Sequence, residues 1–365
     1  MVFRIDRYLI VSQAILVLLV TALSGNAAAA QDAPKTGTAE SERGIRLYLD
    51  HKDREAIQEL RNAVKLDKQD GDAWYYLGLA LVRVADFKAA RKAFETTVKL
   101  KPAFAPGHTG YAYALLESGK DAEVQREAET AIRLNRSDDI ARYLLGVIKL
   151  RNGNPQEALA EAETAVTQKP DFAPPYLLKS QALLALEGAE SERFAKVYRI
   201  PHQGPLSDAE RAERQEHAKK TRELFAAAAA ALGTYLKLAV SDNETAMWKA
   251  QLETLQIFGS ADDEKQSTWN VFNGNQVTTK VKVLAHPEPA YTEQARNAGV
   301  SGTVVLRAVF SATGRVEHIL VLRSLPGGLT EAAIAAARKI RFTPAIKDGK
   351  TVSMMMELQY NFSVE

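Results

Sequence analysis

A spacing of 34 residues constrains this chain more than any other feature. Gly44, Gly78, Ala112, Gly146 and Ser180 stand 34 apart without a gap. The same step links Ala56, Ala90, Val124 and Ala158; Leu60, Phe94, Ala128 and Ala162; Ala63, Thr97, Ala131 and Ala165; and Lys68, Pro102, Arg136 and Pro170. A period of this length is one supersecondary unit repeated. Small residues in fixed columns mark points where helices approach so closely that a larger side chain would overpack. Pro102 and Pro170 end the second helix of a unit, because the proline ring cannot continue the hydrogen-bond ladder. Each unit therefore reads as a helical hairpin, and stacked hairpins bury a continuous core and curl into a superhelix with a concave face.

Trp74-x-x-Leu77-Gly78-x-x-Leu81, followed by Ala90, Phe94 and Pro102, resembles the tetratricopeptide repeat, and the resemblance runs over residues 38 to 187. A further unit opens at Tyr176, but its partner helix is delayed to Leu224-Phe225. The intervening 188–222 segment is charged and carries Pro201, Gly204 and Pro205, which predicts a mobile loop from about Ser191, then a helix from about Ser207. A helix through Trp248 and Leu255 is expected to cap the array, which is placed at 38–258. First-helix positions put Tyr75, Tyr113 and Tyr143 on the concave face. They are expected either to bind an apolar or extended partner or to pack between helices.

A polar linker, 259–276, precedes a change of period from 3.6 to 2. Val304, Leu306, Ala308 and Phe310 alternate with Val305, Arg307 and Val309 up to Ala312-Thr313-Gly314, and Val316 to Leu322 returns as the second arm of a hairpin. Leu329 to Ile340 is helical, with Ala333, Ala337 and Ile340 on one stripe, and Met354 to Phe362 alternates as a last strand. The fold class is α+β in more than one domain: a helical superhelix, then a small β-β-α-β domain over 277–365.

Pro289-Ala-Tyr291, Ala295-Arg296, Gly299-Val300-x-Gly302-Thr303-Val304, Gly314-x-Val316, Phe342-x-Pro344-Ala345 and Asp348-Gly349-Lys350 resemble the TonB carboxy-terminal domain. That family's domain sits in the periplasm and receives a short extended peptide from an outer-membrane receptor. The resemblance implies a protein or peptide partner, with TonB-dependent outer-membrane receptors as candidates, contacted by Pro289, Tyr291 and Arg296 and by the last strand. In that strand Ser353, Met355, Glu357, Gln359 and Asn361 face away from the core stripe. An exposed edge invites strand addition. The alternative is an edge covered by Val277 to Leu284 or by a second copy of the domain. The chain departs from the family at Thr292, where proline is usual, and at Ile340, where tryptophan is usual. The family's energy-coupling members also carry a membrane helix with a Ser and His pair and a proline-rich spacer. Here the amino-terminal segment has no histidine and a helical array stands in the spacer's place.

Arg4 and Arg7 precede an apolar run from Tyr8 to Leu23 and then Ala28-x-Ala30, the order of a signal peptide over 1–30 with export to the periplasm; an uncleaved inner-membrane anchor is the alternative. A formal charge of +2 asks for no nucleic acid, and the absence of cysteine removes thiolate metal sites and thiol nucleophiles. The six histidines lack metal-ligand spacing, and there is no Gly-x-Ser-x-Gly, His-Glu-x-x-His or phosphate-cradling glycine loop. No catalytic residue, metal or cofactor is assigned. The expected function is a periplasmic adaptor of TonB-type transport, with an envelope scaffold lacking energy coupling as the alternative.

Overall fold

A computed structural model describes residues 38–117, 120–197, 207–239, 245–260, 271–272, 274, 276–297, 300–323, 325 and 327–363. The expected signal segment and most of the expected linker lie outside the described residues. No helix among the described residues is long and apolar enough to cross a membrane. The chain divides into two compact units. One runs to Leu150 and from Glu157 to Leu178, and the other joins Arg151–Gln156 to everything from Lys179 onward.

The first unit holds the hairpins that the 34-residue step predicts: α1 (Ala39–Leu49) with α2 (Asp53–Leu66), α3 (Gly71–Arg83) with α4 (Phe87–Leu100), α5 (Ala105–Glu117) with α6 (Asp121–Leu134), and α7 (Asp139–Arg151) with α8 (Pro155–Gln168). Asp70 caps α3 by accepting from the Ala73 amide at 2.8 Å, and Asp138 does the same at α7 from Ala141. Phe94 shows why the columns are small. Its ring is fully buried, and a Cβ added at Gly78 or at Gly110 would come within 2.7 or 2.6 Å of it. One aromatic ring thus wedges between two helix backbones that only glycine lets approach.

A second periodic device ties each hairpin to the loop before it. Trp74 Nε1 donates to the Lys68 carbonyl at 3.1 Å, His108 Nε2 to Pro102 at 3.0 Å, Arg142 Nη2 to Arg136 at 3.1 Å and Tyr176 Oη to Pro170 at 3.1 Å. Donors and acceptors both keep the 34-residue step. Four unrelated side chains make one bond. A carbonyl only accepts, so His108 carries its hydrogen on Nε2 there.

In the second unit, α9 (Pro174–Val197) enters from the array, and α10 (Asp208–Leu238) and α11 (Thr245–Ser260) follow. α9 continues helical through Ser191 to Val197, which corrects the loop expected from Ser191: with no proline before Pro201, nothing in that stretch breaks the ladder. α10 begins where the sequence predicts. Ser207 and Glu210 form a capping box, each side chain bonding the other's backbone amide.

The strands are β1 (Val271–Phe272), β2 (Lys282–Ala285), β3 (Gly302–Phe310), β4 (Val316–Arg323), β5 (Arg341–Thr343), β6 (Ala345–Lys347) and β7 (Lys350–Phe362), with short helices α12 (Glu293–Asn297) and α13 (Leu329–Ala337). The main sheet has the order β1-β7-β3-β4, with β6 also on β7, while β2 pairs with β5 alone. β3 and β4 join through Ala312-Thr313-Gly314, where Gly314 takes the left-handed φ of +82° that this three-residue turn requires. Asp348 and Gly349, at φ +51° and +76°, make the two-residue turn into β7. The core lies between the sheet and α13: Val304, Leu306, Ala308 and Phe310 of β3 and Leu358, Tyr360 and Phe362 of β7 against Leu329, Ala333 and Ala337.

The other face of the sheet is covered by helices of the same unit. Arg307 Nη1 donates to Glu187 Oε1 at 3.0 Å and its guanidinium lies 5.2 Å from the Phe225 ring centre. At Gly188 the backbone comes so near β4 that an added Cβ would sit 3.0 Å from the Leu322 carbonyl.

Candidate functional site

β7 is the element that carries the expected site, and its register decides which of its groups are open. The Ser311 amide donates to the Arg315 carbonyl, so odd-numbered backbone groups of β3 point toward β4 and even-numbered ones toward β7. β3 and β7 pair without a bulge from Gly302↔Phe362 to Phe310↔Met354. Even-numbered residues of β7 therefore spend their N–H and C=O on β3. Those of Met355, Glu357, Gln359 and Asn361 point to the opposite edge.

That edge is occupied at its beginning only. β1 pairs in parallel with Ser353 and Met354, so Ser353, one of the five strand positions expected to bind, already has a neighbour in the chain. Val277 to Leu284 does not cover the rest. Its strand portion pairs with β5, and Thr279 bridges to Ile346 of β6. Among the described residues, no strand pairs with the outer edge from Met355 to Asn361. β4, the other outer strand, differs: its pairing with β3 shifts register twice, a device that blunts an edge.

Side chains along the open edge are polar on the odd-numbered face. Gln359 Nε2 donates to Glu357 Oε1 at 3.2 Å, and Thr303 Oγ1 donates to Asn361 Oδ1 at 2.7 Å. Met355 is half-buried, while Glu357, Gln359 and Asn361 are exposed. Below them, Arg307 joins Glu187 and Ser191 of α9, and Glu357 Oε2 lies 3.9 Å from Arg307 Nη2. Burial pushes the Glu187 carboxyl up, against the pull of Arg307. Burial likewise raises the Tyr360 phenol to about 12, with Glu288 adding to it.

The motif before β3 lies at the carboxy-terminal end of the same strand. Tyr291 is half-buried, its ring centre 6.1 Å from that of Phe362, and its hydroxyl donates to the Val300 carbonyl. The exposed Arg296 guanidinium stands 5.8 Å from the Tyr291 ring centre, and Pro289 is half-buried. Tyr291 is thus a strut between the loop and β7. Thr292, where the family has proline, caps α12 by accepting from the Ala295 amide at 3.2 Å and donates to the Gly327 carbonyl. Ile340 is 4% exposed within the core.

The concave-face tyrosines are corrected. Tyr75, Tyr113 and Tyr143 are 3%, 0% and 1% exposed. They pack between helices, Tyr75 against Phe104 at 5.0 Å and Tyr143 against Phe172 at 6.3 Å, and leave no surface for a partner. Burial raises the Tyr75 and Tyr113 phenols well above the ordinary value, so both stay neutral. Of the two alternatives the sequence left open, partner binding or packing between helices, the burial selects packing. Sequence reasoning missed Glu187, Ser191 and β1, which meet the sheet from far along the chain and leave no local period.

Residues 287–364 match the family described as Gram-negative bacterial TonB protein C-terminal, and residues 125–173 match the tetratricopeptide repeat family. Protein TonB of Pseudomonas aeruginosa is 28% identical over 94 residues, 26% of this chain. The chain matches 28% of the length of that relative. Among solved structures, YrrB, described as a TPR protein with an unusual peptide-binding site, is 16% identical, covers 62% of this chain and 97% of its own, and has a TM-score of 0.41. Pseudomonas aeruginosa PilF is 14% identical, covering 61% of this chain and 86% of its own at a TM-score of 0.43. MamA of Desulfovibrio magneticus RS-1 is 19% identical, covering 45% and 96% at 0.39. The TonB-type resemblance is borne out over 287–364, and the tetratricopeptide resemblance over 125–173 of the 38–187 expected for it. The matches thus identify a TonB-type carboxy-terminal domain and a tetratricopeptide segment within the chain.

Proposed function

We propose that this protein is a periplasmic adaptor of TonB-type outer-membrane transport, in which the outer edge of β7 receives an extended peptide of a receptor by strand addition and the helical repeats recruit a second protein. One observation carries the reading: the β7 edge from Met355 to Asn361 is regular and unpaired by any described strand, whereas the β4 edge is bulged. A regular edge offers unmet N–H and C=O groups to any extended chain, and main-chain pairing supplies affinity whatever the side chains. Tyr291, which packs on Phe362 at the end of β7, with Arg296 beside its ring and Pro289 two residues before it, would meet the peptide as it leaves the sheet.

Proline at Gln359 is the direct test, because that amide points outward and is used by neither β3 nor β1. Gln359→Pro is expected to abolish capture of a receptor's periplasmic peptide while the domain still unfolds cooperatively. Capture by this variant in a folded domain would place the partner elsewhere. A second reading, an envelope scaffold without energy coupling, is favoured by the helical array that stands where energy-coupling relatives carry a spacer. It keeps the same edge and differs only in the partner pulled down.

A further inference from the structure

Resting on that reading of the edge, we infer that the partner strand is short and carries a basic side chain at its centre, opposite Glu357. The length follows from β1. By pairing with Ser353 and Met354 it closes the head of the edge, so an incoming strand has Met355 to Asn361, about seven residues at roughly 3.3 Å each, to pair with.

The charge follows from how one guanidinium is shared. Arg307 is 13% exposed and gives its hydrogen bonds to Glu187, at 3.0 Å, and to Ser191, at 3.3 Å. Ser191 in turn donates to the same Glu187 oxygen at 2.8 Å. Glu187 has no exposure and takes the guanidinium first. Glu357 receives what remains, a separation of 3.9 Å, beyond hydrogen-bond range, plus the Gln359 amide. Two carboxylates thus face one cation, and the half-exposed one sits at the middle of the open edge. The helix cations close by are engaged elsewhere: Arg193 and Lys220 bond Glu190 at 2.8 and 2.9 Å and hold its carboxyl at about 2. A lysine or arginine on the odd-numbered face of an added strand would supply the missing charge, and an acidic residue there would meet repulsion. On the opposite face the strand adjoins Met356 and the sheet core, which suits apolar side chains at alternate positions.

Two blocked peptides test this on the full chain: Val-Thr-Val-Lys-Val-Thr-Val and the same sequence with glutamate at the centre, which read alike in either strand direction. The lysine peptide is expected to bind about three- to fivefold tighter at low salt, the range of an exposed cross-strand ion pair. The ratio should fall to about one in Glu357→Gln and at high ionic strength. Equal affinities with binding lost in Gln359→Pro would overturn the charge inference and leave the edge intact. Tighter binding of the glutamate peptide would overturn it too. Binding of neither peptide would remove the edge as a receiver, and with it both readings.

Discussion

The repeat array and the strand-rich unit are held together in opposite ways. In the array one bond is made again and again by different chemistry, a loop carbonyl being held in turn by an indole, an imidazole, a guanidinium and a phenol. In the strand-rich unit Arg307 meets Glu187 once, across 120 residues of chain. When a repeated bond breaks at one step its equivalents hold at the others, whereas the Arg307–Glu187 pair has no equivalent to fall back on. The array is therefore expected to loosen locally and the other unit to fail as a block.

The largest effect that would break this contrast lies in the array, at the Phe94 ring, which meets helices of two hairpins. Phe94→Ala removes the wedge between Gly78 and Gly110 and should cost about 4 kcal/mol by urea unfolding, since neither glycine can fill the void. A loss below about 1 kcal/mol would mean that the repeats tolerate even their wedges. Arg307→Ala comes next. It leaves Glu187 buried without its cation and should cost about 3 kcal/mol, seen as one cooperative transition of the unit from Lys179 onward while the array's transition stays in place. The pair Arg307→Met with Glu187→Met should recover most of that loss, because it removes both charges from the interior.

Much of this was legible in the sequence, and the reason differs by region. Hairpins α1 to α8 follow from columns of small residues, because close approach restricts each position by itself. β3, β4 and β7 follow from alternation, and the turn at Gly314 from its residue type. The Arg307–Glu187 pair was not legible, since a helix and a strand 120 residues apart share no period. β1, with two paired residues, is too short to alternate. Burial of Tyr75, Tyr113 and Tyr143 was not legible either, because a tyrosine's amphipathic ring suits a groove and a core alike.

Smaller effects sharpen the comparison. Trp74→Phe deletes one of the four loop bonds but keeps an aromatic ring, and should cost less than about 1 kcal/mol, with the neighbouring hairpins unaffected in hydrogen exchange. The smallest effect is one of pH and belongs to a single repeat. Both nitrogens of His108 face acceptors, the Pro102 carbonyl and, at 2.7 Å, Glu127 Oε2, an arrangement that favours the imidazolium. The Glu127 bond raises the His108 value against burial and the charge of Arg133. Glu127 is pushed up by burial but pulled below its usual range by His108 and Arg126. A raised histidine stabilises the fold fully below its unfolded value, about 6.5, and loses that contribution as pH rises through the folded one. The array's melting temperature should therefore fall as pH rises above about 6.5, and His108→Gln should flatten that slope. Trp74, which makes the same bond with a side chain that carries no titratable group, gives no such slope.

The most direct test of the open β7 edge is amide hydrogen exchange on the full chain, read residue by residue along the strand. In the free protein the amides of Met356, Leu358, Tyr360 and Phe362 should be protected by β3 and that of Met355 by β1, and those of Glu357, Gln359 and Asn361 should exchange freely. On addition of the captured peptide the second set should become protected and the first should stay as it was. If the second set is already protected in the free chain, or stays unprotected when the partner is bound, the edge is not the receiver.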